Sequence, residues 1–221
     1  MADRLLNICF HGIGEPGREL EPGEDRYWIG VDQFHRILDE IATWRNVRIS
    51  FDDGNRSDLE YGLPALVERD LHATFFVLAG RLGQPGSLAE DDVRALDRAG
   101  MTIGTHGMNH RPWRGMASQE REIELVEARE RIADASGRPV DQAALPLGRY
   151  DRQLLSSLRG LGYTRVFSSD RRASSAGSWL QPRFSVRVDD SASSMRSTVL
   201  PVPAFSSQLK VQLKGVAKRL R

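Results

Sequence analysis

Val47-Arg48-Ile49-Ser50-Phe51-Asp52-Asp53-Gly54 sets two carboxylates and a glycine at the end of an apolar run. The run from Val47 to Phe51 reads as a buried strand, and the glycine marks where the chain turns. Neighbouring side chains of a strand point to opposite faces, so Asp52 and Asp53 reach one site only if the backbone bends, which Gly54 permits. Taken alone, Asp-Asp-Gly more often marks a solvated turn. What shifts the balance is a second cluster, His106-Gly107-Met108-Asn109-His110, about fifty residues on.

Working outward, Leu5 to Phe10 reads as a first strand ending at His11-Gly12. A long polar loop to about Tyr27 follows, carrying Glu15, Glu19, Glu21, Glu24 and Asp25. Loops of that length in compact domains are usually functional or mobile. Val31, Phe34, Ile37, Leu38 and Ile41 recur at helical spacing before the Val47 strand. Beyond it, Leu59 to Arg69 reads as helix with Pro64 tolerated only near its first turn, Thr74 to Leu78 as strand, and Leu88 to Ala99 as helix closed by Gly100. Thr102-Ile103 starts a strand that delivers His106. Ser118 to Ser136 reads as a helix built on Ile123, Val126 and Ile132, with Ser118 at its N-cap. Strands over Ala143–Leu145, Thr164–Phe167 and Phe184–Val188, a helix over Arg152–Leu161 and a surface loop over Ala173–Ser178 complete the pattern.

Repeated strand and helix units make this an α/β protein with a parallel sheet, open or closed into a barrel. Either form binds ligands at the carboxyl ends of its strands. His11, Asp52, Asp53, His106 and His110 all follow strands and so share one face; His35, within a helix, and His72, before a strand, do not.

The length of 221 residues fits one domain, and 40% hydrophobic with 28% charged residues is an ordinary globular composition. A net charge of +1 gives no reason to expect nucleic acid. Cys9, the single cysteine, excludes an internal disulfide and suits a reducing compartment. With neither a signal-peptide pattern nor eighteen consecutive apolar residues, the expected location is cytoplasmic.

Two histidines three residues apart can aim both imidazoles at one point. A carboxylate from another strand end completes a two-histidine, one-acid set that leaves open positions for water and substrate. As an isolated pattern His-x-x-x-His is as readily a solvated loop.

Ser50-Phe51-Asp52-Asp53-Gly54, His106-x-x-x-His110 and the Pro146-Leu147-Gly148 stretch together resemble the polysaccharide deacetylase family, carbohydrate esterases that share a homology domain with nodulation-type chitooligosaccharide deacetylases. The resemblance spans roughly Leu5 to Val188 and is nearest the branch that deacetylates poly-N-acetylglucosamine exopolysaccharides. It implies a distorted (β/α) barrel and metal-dependent removal of acetyl groups from N-acetylated amino sugars, in exopolysaccharide or cell-envelope glycan biosynthesis. Carried over, Asp53, His106 and His110 become metal ligands, with Zn2+ expected and Co2+ or Ni2+ as alternatives; Asp52 becomes the base, and the Leu147 backbone N–H faces the oxyanion. The family's usual acid is a C-terminal histidine, and none follows His110. The exopolysaccharide branch carries a histidine at the N-terminal place instead, which implies His11 as the acid. Gly107 stands where the family commonly has serine or threonine. The arginine that precedes the family's third-motif proline is missing, leaving Arg149, Arg171 or Arg172 as partners for Asp52. Asp170 aligns loosely with a partner of the acid. Trp113, Tyr150 and Arg149 are the expected substrate contacts, with Trp28 a further aromatic near the cluster. Two other readings remain, a weakened relative that binds glycan without turning it over and a metal-dependent amidase acting on a non-glycan amide.

Residues 205–221 form a separate unit behind a 1–204 catalytic domain. Lys210, Lys214, Lys218, Arg219 and Arg221 stand there with no acid, and Leu209, Leu213, Val216 and Leu220 share one helical face. That basic amphipathic helix either docks on the barrel or makes weak contact with an anionic membrane, near a lipid-linked glycan substrate.

Overall fold

Parallel pairing of successive strands organises the chain. The computed structural model describes residues 4–201, so the helix expected beyond 205 lies outside the described residues. In chain order come β1 (Arg4–Phe10), α1 (Val31–Ala42), β2 (Val47–Asp53), a π turn (Asp58–Gly62) running into α2 (Leu63–Glu68), β3 (Ala73–Val77), α3 (Glu90–Arg98) and β4 (Thr102–Thr105). Then α4 (Ser118–Glu122) passes through a π turn (Ile123–Glu127) into α5 (Ala128–Ser136), followed by β5 (Gln142–Ala144), α6 (Arg152–Gly160) and β6 (Arg165–Ser168). β7 (Ser174–Ser175), β8 (Leu180–Pro182), β9 (Phe184–Ser185) and α7 (Ala192–Val199) close the described chain.

Strands β1 to β6 lie side by side in sequence order, every pair parallel, as crossover helices require. β8 extends the sheet beyond β6, and β9, separated from β8 by Arg183 alone, pairs with β1. One short stretch of chain therefore joins the two edges, and the expected distorted (β/α) barrel is what forms. β7 adds antiparallel to the start of β1, within the stretch expected to be loop.

Strand alternation divides the side chains. Phe10, Phe51 and Phe75 face outward in a row with ring centroids 5.4 and 4.7 Å apart, packed with Phe34, Ile37, Leu38 and Ile41 of α1. Phe76, Ala144 and Phe167 form a separate cluster on the opposite, inner face. Burial on that scale supplies the main driving force for the fold.

Four local expectations need correction. The N-cap of α4 is Ala117, and Glu120, not a residue at 121, accepts its backbone N–H at 2.9 Å. The π turn adds a residue to that helix, so Leu125, Ala128 and Ile132 are buried rather than the Ile123 and Val126 face. The last strand spans only Phe184–Ser185, because Val186 gives its N–H to Cys9 and the chain then leaves the sheet. Finally, α7 was not legible in the sequence. No helix among the described residues is long and apolar enough to cross a membrane.

Candidate active site

The carboxyl ends of β1, β2, β4 and β5 and the loops that follow them open into one cleft of about 190 Å3. His11, Asp52, Asp53, His106, His110 and Leu147 all line it. The bend that brings both aspartates there is made by Asp53 itself, at φ 78°, followed by Gly54 at φ 67°. His110 (φ 49°) and Leu147 (φ 55°) also hold left-handed backbone. Each such non-glycine position costs on the order of 1–3 kcal/mol and persists only where its surroundings over-determine it, a pattern typical of functional sites.

Asp53 is 1% exposed, and neither of its carboxylate oxygens has a hydrogen-bond partner. Its Oδ1 lies 3.5 Å from Nε2 of His106 and 3.5 Å from Nε2 of His110. An orphaned buried carboxylate facing two imidazole nitrogens is a costly arrangement unless a cation completes it, so the residues fit a divalent metal. Both imidazoles are fixed from behind. His106 Nδ1 donates to the Ala144 carbonyl at 2.9 Å, and His110 Nδ1 to Glu21 Oε2 at 2.6 Å, which leaves each Nε2 lone pair turned to Asp53. Burial pushes the His106 imidazole down to about 4, outweighing the nearby Asp52 and Asp53, so it is neutral near pH 7, as a ligand must be.

Asp52 is 3% exposed, and the partner sought for it at Arg149, Arg171 or Arg172 is none of these. Arg183, at the junction of β8 and β9, binds it as a fork, Nη1 to Oδ1 and Nη2 to Oδ2 at 2.6 Å each, with a third bond to Ser50. Burial alone would raise the Asp52 carboxyl, but the Arg183 charge, His106 and the guanidinium bonds hold it well below the usual carboxylate range. Arg171 instead donates to the Ser185 carbonyl, and Arg149 is exposed outside the cleft lining.

The loop after β1 arches over this cleft and contributes Glu21, Pro22, Gly23, Glu24 and Tyr27 to its lining. Arg81 pairs with Glu21, and Arg18 bridges Glu24 and the Asn55 Oδ1. The His11 ring packs on Tyr27 at 5.0 Å, with its Nδ1 4.0 Å from Cys9 Sγ.

Gly107 has a physical explanation. At φ +88°, a Cβ there would meet Glu124 Oε2 at 2.5 Å and Trp113 Nε1 at 2.8 Å. Glu124, buried in the π turn, accepts the N–H of Met108 at 2.8 Å and the Asn109 amide at 3.2 Å. It clamps the segment between the two histidines. Trp113 is 1% exposed, its indole N–H 3.4 Å from the same carboxylate, so it offers no face to a sugar. Tyr150, 2% exposed, donates its hydroxyl to Asp170 at 2.7 Å and packs in the cluster around α6. Trp28 is likewise buried, covering Gly12. The aromatic that does line the cleft is Tyr27, and the exposed apolar side chain there is Leu147. Sequence reasoning missed Arg183, Glu124 and the specific role of Glu21; only the acidic character of the loop pointed toward the last.

The closed (β/α) barrel thus gathers an Asp-His-His set whose residue types fit a divalent cation beside an arginine-held aspartate. The chain belongs to the polysaccharide deacetylase family, whose sequence profile matches residues 42–166. YxkH of Bacillus subtilis (strain 168), which carries the provisional name of polysaccharide deacetylase, is 23% identical over 150 residues, 68% of this chain and 54% of YxkH. The chain thus spans about half the length of that relative. Among solved structures, the Streptococcus pyogenes deacetylase PplD superposes with a TM-score of 0.78 at 18% identity, covering 91% of this chain and 100% of PplD. IcaB from Ammonifex degensii does so with a TM-score of 0.71 at 20% identity, over 88% of this chain and 96% of IcaB. At these identities the structural likeness shows the fold.

Proposed function

We propose that this protein is a metal-dependent hydrolase that removes acetyl groups from N-acetylated amino sugars of a polysaccharide or its precursor. The observation that carries the reading is the Asp52–Arg183 fork beside Asp53, His106 and His110. A divalent cation on those three residues, Zn2+ being the first choice for two imidazoles and a carboxylate, supplies Lewis acidity toward water and the acyl oxygen.

Asp52, kept ionised by Arg183, accepts the proton of the attacking water. The Leu147 N–H, on its strained turn at the cleft wall, faces the developing oxyanion. His11 hands a proton to the departing amine, which leaves poorly without one, and the Tyr27 ring holds its imidazole against the cleft. An exopolysaccharide or other cell-envelope glycan is the substrate we favour within this class. The missing third-motif arginine and the missing C-terminal histidine favour a binding-only relative; Arg183 supplies the counter-charge to Asp52 and so weakens the first of these two grounds.

Acetate release from N-acetylglucosamine oligomers tests the reading. Protein stripped of metal is expected to be inactive and to recover with Zn2+, Co2+ or Ni2+, while Asp52→Asn stays inactive under every metal. Release that survives chelation, or that Asp52→Asn retains, would overturn it.

A further inference from the structure

The barrel has a second polar hollow at its other end. Strand alternation turns Asn7, Arg48, Thr74, Thr102, Gln142 and Arg165 inward at the amino-terminal mouth, where Asn7 pairs in register with Arg48, Thr74 with Thr102 and Gln142 with Arg165. These residues, with His72, line a hollow of about 220 Å3 on the face opposite Asp52 and the histidines.

Its charge is unbalanced. Among the described residues no carboxylate lines it, and neither Arg48 nor Arg165 takes part in an ion pair. Arg48 Nη1 is shut off from solvent with no hydrogen-bond partner. Burial and the like charge of Arg165 both push the Arg48 guanidinium down, as expected for two cations that face each other with nothing between. The nearest acid in sequence, Asp141, is taken up by the Thr164 hydroxyl at 2.8 Å and lines a different hollow with Arg138. Thr102 Oγ1 and His72 Nε2 are 3.0 Å apart, and the Asn7 amide N–H groups are spent on Gln181 and Pro182. That leaves Asn7 Oδ1 buried without a donor.

We propose that this hollow binds a phosphate group between Arg48 and Arg165. Two guanidinium forks with hydroxyl and amide donors between them are the chemistry that recognises a tetrahedral oxyanion. The unpartnered Asn7 oxygen matches a phosphate O–H, which sulfate lacks at neutral pH. The guanidinium contacts serve inorganic phosphate and the end of a phosphomonoester alike, while the Asn7 oxygen is matched by inorganic phosphate or by the monoanion of a monoester, whose second pKa is about 6.

The test is thermal unfolding of the full chain, together with calorimetric titration, in chloride buffers of fixed ionic strength with added inorganic phosphate, sulfate or glycerol 1-phosphate. Ligand linkage predicts a Tm that climbs roughly 3–5 °C for each tenfold rise of phosphate above its Kd, with one site per chain and sulfate weaker. Arg48→Gln and Arg165→Gln, each outside the catalytic cleft, are expected to lose that response. In phosphate-free buffer neither should unfold earlier than wild type, because each removes a repelling charge. A monoester response exceeding that of phosphate assigns the site to phosphorylated molecules, and the reverse order to the free ion. No phosphate response in wild type would overturn the proposal. A response that survives both substitutions would assign binding to the catalytic cleft and overturn it as well.

Discussion

Arg183 reaches Asp52 across 131 positions of sequence. Nothing in Gln181-Pro182-Arg183-Phe184 announces that contact, because the pairing depends on which strand closes the barrel rather than on any local pattern. Asp52 and Asp53 were legible because they end β2 just before Gly54, and His106 and His110 because two imidazoles with three residues between them follow β4. Removing Arg183 leaves a buried carboxylate without its counter-charge, a loss of about 3–5 kcal/mol by analogy with other buried pairs. Arg183→Gln is therefore expected to lower Tm markedly. It should also move the acid limb of the kcat/KM profile to higher pH, since the Asp52 carboxyl is then governed by burial. The sign for stability follows from the same shift. The folded carboxyl lies below its ordinary value of 3.8, so the pair's stabilisation is present above about pH 4 and fades as pH falls below it. The gap between wild type and Arg183→Gln should narrow below pH 4; a gap constant down to pH 2 would contradict the assignment. Glu21 acts on the other side of the site. Its bond to His110 fixes the ring, so Glu21→Gln should weaken Zn2+ affinity by about 10–100-fold in chelator competition while leaving Asp52 untouched. Unchanged affinity would reduce Glu21 to a loop anchor.

At the scale of elements, helices were easier to read than the faces they bury. Periodicity located the long helix from 118 to 136, but the π turn at Ile123–Glu127 advances the register by a residue and carries Glu124 under the metal-ligand loop. Sequence spacing cannot reveal such an insertion, since it conserves the helical composition on both sides. Glu124 and Gly107 are one device: a carboxylate occupies the space in which a side chain at 107 would sit. Gly107→Ser restores the residue the family usually has, yet here it should destabilise, because its Cβ meets the carboxylate and its φ of +88° strains any L side chain. A Tm loss of roughly 5 °C or more, with weaker metal binding, is the expected result. Pairing it with Glu124→Ala should recover part of the loss if the clash is its cause, and a fully additive double variant would argue against that coupling.

For the whole molecule, alternation of strands and helices was enough to predict a parallel sheet, and the family resemblance implied the barrel, but the segments that close it were not all legible. β7 and β8 are two and three residues long, too short for a period of two to register, and β7 falls in the Ala173–Ser178 stretch that reads as loop, whereas β9 lies at the start of the expected Phe184–Val188 strand. α7 escaped for a similar reason, as Ser191 to Thr198 offers few apolar positions. Its contribution is nonetheless structural: Met195 (1% exposed) and Val199 (0% exposed) lie in the main core, Arg196 pairs with Glu40 of α1, and Arg4 of β1 donates to the Val199 and Leu200 carbonyls at 2.7 and 2.6 Å. The barrel unit therefore takes in α7 and Leu200. Two truncations separate the roles. A chain ending at Asp190 exposes the surfaces covered by Met195 and Val199, at about 1.5–3 kcal/mol for each buried side chain, and should melt 10 °C or more below the full chain. A chain ending at Pro203 is expected to keep both Tm and acetate release. Its binding to anionic liposomes in co-sedimentation should fall below that of the full chain if the basic helix touches membranes, and equal binding would assign that segment no part in membrane contact.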